Sequence, residues 1–117
     1  MRMPGLRERT KKFSLRVIRV CTSLPATMVG QTLGRQLLRS GTSVAANFRE
    51  ASRARTRAEF IAKFGIVEQE LDETALWLEL LTDADVVVEN KLSALHQETE
   101  ELIKIVITTI KRSRTRA

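Results

Sequence analysis

Arg35, Arg39, Arg49, Arg53, Arg55 and Arg57 are the side chains of this sequence best suited to chemistry with a partner. A guanidinium presents a planar fork of donors that fits phosphate oxygens and carboxylates equally well. Arg35 and Arg39 stand four apart, as do Arg49 and Arg53, so each pair shares one face of a helix. Further cations cluster at the two ends, Arg7, Arg9, Lys11, Lys12, Arg16 and Arg19 near the start and Lys111, Arg112, Arg114 and Arg116 near the finish. Phosphates of RNA or DNA are one partner for such a set. The competing partner is the chain itself. Residues 58–101 hold twelve Asp and Glu against only Lys63 and Lys91, within a chain whose net charge is +6. Segregation of this kind lets basic and acidic helices neutralise each other, within or between subunits, or leaves the basic parts for a polyanion.

Other chemistry finds little support. Cys21 is the single cysteine, so no internal disulfide forms and no thiolate metal site closes. It falls on an apolar stripe, where cysteine acts as a small hydrophobe. His96 is the single histidine and has no glutamate three residues before it, whereas a di-iron bundle needs two Glu-x-x-His motifs. Glycine-rich phosphate loops, nucleophile elbows and zinc signatures are missing from the sequence. The sequence therefore predicts a non-enzyme with no metal and no cofactor. Ser43, Asn47 and Glu50 lie beside an apolar seam, opposite Lys63, Glu70 and Glu73 in the next helix. These six are read as a structural polar network that fixes register between helices or subunits. Phe13, Phe48, Phe60, Phe64 and Trp77 all fall on or beside apolar stripes, so nucleic acid would be met through shape and phosphates, not stacking.

The elements that must hold these residues are helical. With two prolines and five glycines in 117 residues, and 43% hydrophobic content, the chain reads as one packed domain over 1–117. Three- and four-residue spacing predicts helices at about 7–23, 26–54, 57–82 and 90–112, with a frayed basic tail at 113–117. Pro25 closes the first helix. Leu33, Leu37, Ser40 or Gly41, Val44 and Phe48 stripe the second, with Gly41 a packing glycine. Thr56 and Glu59 have capping-box spacing at the start of the third, followed by Phe60, Phe64, Val67, Leu71, Thr74 or Ala75, Leu78 and Leu81. Leu92, Leu95, Thr99, Leu102, Val106 and Ile110 stripe the fourth. Four such helices joined by short connections predict an all-α, up-down-up-down four-helix bundle. Ile61, Leu76 and Leu80 on the third helix, and Ile103 and Ile107 on the fourth, widen the apolar faces beyond one seam and point to an oligomer interface. No stretch nears the ~20 apolar residues that span a bilayer, and no signal-peptide core follows the basic start, so a cytoplasmic location with no membrane contact is expected.

The second and third helices carry a more specific pattern. Gln36 to Gly41, then Ser43 to Ala51, Glu59 to Lys63, Glu70, Glu73-Thr74 and Trp77 to Leu81 resemble the proteins encoded in 23S rRNA intervening sequences, and the likeness extends through Glu98 to Lys111. Gln69 and Leu76 stand where many relatives have lysine and tyrosine. The resemblance implies a left-handed bundle that assembles as a homopentamer. A more distant similarity, to accessory proteins of diversity-generating retroelements, implies binding of nucleic acid and of a protein partner such as a reverse transcriptase. Nucleic-acid contact is accordingly expected at Arg35, Arg39, Arg49, Arg53, Arg55, Arg57, Lys111 and Arg112. A protein-docking scaffold that leaves nucleic acid untouched is the alternative.

Overall fold

The computed structural model describes residues 5–115. It consists of four α-helices: α1 (Leu6–Thr22), α2 (Met28–Ser52), α3 (Arg57–Asp83) and α4 (Glu89–Thr115). The bundle is elongated, 51 × 20 × 19 Å. Each helix packs along its chain neighbour, and α1 meets α4 more sparsely. Arg9 bridges that last seam with a two-pronged hydrogen bond, Nε and Nη2 each 2.8 Å from a carboxylate oxygen of Glu98.

The helix ends follow local chemistry. α1 stops at Thr22, with the Ser23 amide bonded back to Val20, so the turn is complete before Pro25 is reached. The second helix begins at Met28, two residues later than predicted, because the Thr27 hydroxyl accepts from the Gly30 amide at 3.0 Å and caps it there. Thr56 caps α3 in the same way, accepting from the Glu59 amide at 3.0 Å. The Glu59 carboxylate reaches back one residue further than a capping box requires, to the Arg55 amide at 3.2 Å. The frayed tail predicted from residue 113 is corrected: α4 continues to Thr115 and Ser113 is buried, because the last turn still packs on the bundle. Residues 116 and 117, with Arg116, lie outside the described residues.

The core follows the apolar stripes. Phe13 and Val17 of α1 meet Leu37, Val44 and Phe48 of α2, Phe60, Phe64, Val67, Leu71, Leu78 and Leu81 of α3, and Leu92, Leu95, Leu102, Val106 and Ile110 of α4. Two small residues set how closely α1 and α2 approach. A β-carbon at Gly41 would stand 2.5 Å from Val17 Cγ1, and one at Gly34 would stand 2.9 Å from Leu24 Cδ1. Ser14 then donates to the Gly41 carbonyl at 2.7 Å across the same contact. Between α2 and α3 the buried hydroxyls of Ser40 and Thr74 pair at 2.9 Å.

Candidate nucleic-acid interface

Alternating helix directions bring three separate stretches of sequence to one end of the long axis: the α2–α3 connection, the start of α1 and the finish of α4. Arg49 lies in the last turn of α2, Arg53 is its C-cap, Arg55 sits in the connection and Arg57 opens α3. Lys111, Arg112 and Arg114 come from the last turns of α4, and Arg7 from the first turn of α1. Six of the eight residues expected to meet nucleic acid are therefore gathered here. All of these side chains are exposed except Arg49, which is half-buried. Among the described residues, no carboxylate pairs with Arg49, Arg53, Arg55, Lys111, Arg112 or Arg114. Two nearby carboxylates have other partners, Glu50 with Lys63 Nζ at 2.7 Å and Glu59 with the Arg55 amide, and the first turn of α1 adds the exposed Glu8.

Local electrostatics explain part of this set. Arg112 and Arg114 offset the partial negative charge at the C-terminus of α4, as Arg49 does for α2. Arg55 and Arg57 sit instead at the N-terminus of α3, where a helix favours anions, so the dipole does not account for them. The opposite end is richer in acid, with Glu79, Asp83, Asp85 and Glu89 around the α3–α4 connection beside Arg19 and Lys91.

The other two expected residues lie elsewhere. Arg35 is eighteen positions before Arg53, ~27 Å along the helix at 1.5 Å per residue. Arg39 sits mid-bundle and is held by α3: its Nη1 is 3.2 Å from Glu70 Oε2 and its Nη2 bonds Glu73. Hydrogen bonding to Glu70 raises the Arg39 pKa further above its already high value, and the charge of Glu70 adds to the effect. Here the chain neutralises itself.

The six residues read as one polar network do not form it. Ser43 donates to the Arg39 carbonyl and Asn47 to the Ser43 carbonyl, both within α2, because each is placed to reach a carbonyl one turn back. Glu50 pairs with Lys63, and Glu70 and Glu73 serve Arg39, so two separate ion-pair groups replace the network. The buried polar link between α2 and α3 is Ser40 with Thr74, both of which stand at seam positions on their helices.

A second cluster escapes the sequence reading. His96 Nε2 lies 2.8 Å from Glu79 Oε2 and 3.7 Å from Glu100 Oε1, beside a groove of ≈ 280 Å³ lined by Leu78, Thr82, Asp83 and Leu92. The three donor atoms lie within 4.8 Å of one another and offer a divalent cation one imidazole and two carboxylates. A hydrogen bond between His96 and Glu79 across α3 and α4 accounts for the same geometry. His96 and Glu100 are legible as an i, i+4 pair, whereas Glu79 arrives only through the packing of α3 on α4. Burial raises the pKa of the Cys21 thiol, whose Sγ is 3.5 Å from the Gly34 carbonyl; it is a packing residue.

Fold and site together define a class, an all-α four-helix bundle with a cluster of exposed cations at one end. The chain belongs to the 23S rRNA-intervening sequence protein family, whose profile matches residues 6–108. Its fold is similar to the crystal structure of a protein of unknown function from the S23 ribosomal protein family of Bacteroides thetaiotaomicron VPI-5482. That likeness has a TM-score of 0.84 at 33% identity, over 90% of this chain and 97% of the other. No curated protein matches the chain. No helix among the described residues is long and apolar enough to cross a membrane.

Proposed function

We propose that this protein is a non-enzymatic, self-assembling accessory protein that binds structured RNA through phosphate-directed arginines at one end of its bundle. The observation that carries the reading is the convergence of exposed cations from three stretches of sequence, with an acidic cluster at the far end. Phosphate contacts of this kind release counterions, tolerate sequence and weaken steeply with salt. Buried rings leave little for stacking, since Phe13, Phe48, Phe60 and Phe64 are all in the core.

Fluorescence anisotropy of a structured RNA, repeated from low to high salt, tests this. The log of the affinity should fall linearly with the log of the salt concentration, and Arg49→Glu with Arg53→Glu should abolish binding while helical content stays the same. Unchanged affinity in that variant rejects the arginine assignment. A second reading, a scaffold that docks a protein partner such as a reverse transcriptase, draws on the exposed Ile66, Leu76 and Leu80 of α3. Absence of RNA binding at low salt would favour it.

A further inference from the structure

The outward face of α3 has a composition that its own chain does not explain. Leu76 is 45% exposed and Leu80 37%, one turn apart on the side away from the core, with Ile66 further back along the helix. From Phe64 to Asp83 the helix has neither lysine nor arginine, and of its six carboxylates Glu70 and Glu73 are held by Arg39 and Glu79 by His96, which leaves Glu68, Asp72 and Asp83. At Gly65 a β-carbon would meet nothing within 4 Å, so no contact within the chain demands glycine in the middle of this helix. The outward face of α1 is its electrostatic opposite. Leu15 is 39% exposed and Ile18 37%, and from Lys11 onward the helix exposes Lys11, Lys12 and Arg19 and has no carboxylate.

These two faces also match in height. The bond from Ser14 to Gly41 sets α1 against α2, and the Ser40–Thr74 bond sets α2 against α3. Followed through, they place Leu15 level with Thr74, Ile18 level with Trp77, and Lys11 and Lys12 level with Glu70 and Leu71. Copies set side by side with an axial slip of only about 3–4 Å would therefore lay Leu15 and Ile18 on Leu76 and Leu80. With the same slip Lys11 and Lys12 would fall beside Asp72. α1 and α3 lie diagonally across the bundle, so the two faces point in opposite directions. A contact between unlike faces is head-to-tail, and it closes into a ring if the rotation allows.

We propose that the outward face of α3 binds the outward face of α1 on a second copy of this chain, with Leu76 and Leu80 meeting Leu15 and Ile18. The assignment rests on the self-assembly reading above and deepens it. Mass in solution by light scattering separates the two. Wild type should be an oligomer, and Leu76→Glu with Leu80→Glu should be a folded monomer, as should Leu15→Glu with Ile18→Glu. Mixed one to one, the two broken variants should form a dimer and nothing larger, since each keeps one intact face. Wild type that is monomeric overturns self-assembly itself. An oligomer that neither variant disturbs, or two monomeric variants that fail to pair, overturns the face assignment alone. A cross-linking variant covers the case of poor folding: Ile18→Cys with Leu76→Cys, in a Cys21→Ser background, should give a covalent ladder on oxidation. A single uncrosslinked band contradicts the contact.

Discussion

Arg39 and Arg53 lie on the same helix, and their situations are opposite. Arg39, mid-bundle, is held by Glu70 and Glu73 of α3. Arg53, at the end of α2, has no carboxylate partner among the described residues and shares its surroundings with cations from the end of α4. A charge run therefore does not act as a unit: the carboxylates of the next helix decide, residue by residue, which cations hold the bundle together and which face outward. In the middle of the molecule Arg39 ties α2 to α3, and at the basic end Arg53, Arg55 and Arg112 stand exposed.

The largest effect that sharpens this contrast is on binding. Arg55→Glu with Arg112→Glu joins two elements far apart in sequence, and should weaken RNA binding by about 10–100-fold at moderate salt. Its thermal midpoint should stay close to wild type, since exposed changes usually cost less than about 0.5 kcal/mol. Loss of stability in that variant would break the division between the two regions.

Changes in the middle should do the reverse, lowering stability and sparing binding. Gly41→Ala drives a methyl into Val17, and overpacking of this kind costs roughly 1–3 kcal/mol, readable by denaturant titration. Gly34→Ala should cost less, because the atom it meets is the tip of the Leu24 side chain and can swing aside. Thr74→Val removes a buried partner of Ser40 and should cost about 1–2 kcal/mol.

The smallest effect is pH-dependent. The hydrogen bond from Arg9 holds the Glu98 carboxyl below its ordinary pKa, and desolvation opposes it. A carboxyl depressed in the folded state stabilises the protein above its unfolded pKa and loses that contribution as pH falls through the folded value. Wild type should thus exceed Glu98→Gln by no more than about 1 kcal/mol at pH 7. The gap should close below the ordinary carboxylate range. A gap that is constant with pH would show that the pair acts through packing and not through charge.

The helices and their seams were legible because the apolar spacing of Leu37, Val44 and Phe48, or of Phe64, Leu71 and Leu78, leaves one arrangement that buries them all. Helix ends were less legible. The fourth helix outruns its hydrophobic stripe because Ser113, a polar residue, still packs against the bundle. The candidate site was half legible. Residue type and helical spacing identify the arginines, but whether Glu70 and Glu73 reach Arg39 depends on the height at which α3 docks on α2, and the Ser40–Thr74 contact sets that height. Likewise, Ser43 and Asn47 have the composition of a network, yet local carbonyls satisfy them first.

The central claim, that the basic end and not the paired middle meets the polyanion, is tested most directly by the salt slope of RNA affinity. Wild type would be compared with Arg53→Gln/Arg55→Gln and with Arg39→Gln. Loss of two phosphate contacts should reduce the slope by about 2 in the first variant, and Arg39→Gln should leave it unchanged. A slope that falls with Arg39→Gln and holds with the end variant would contradict the account.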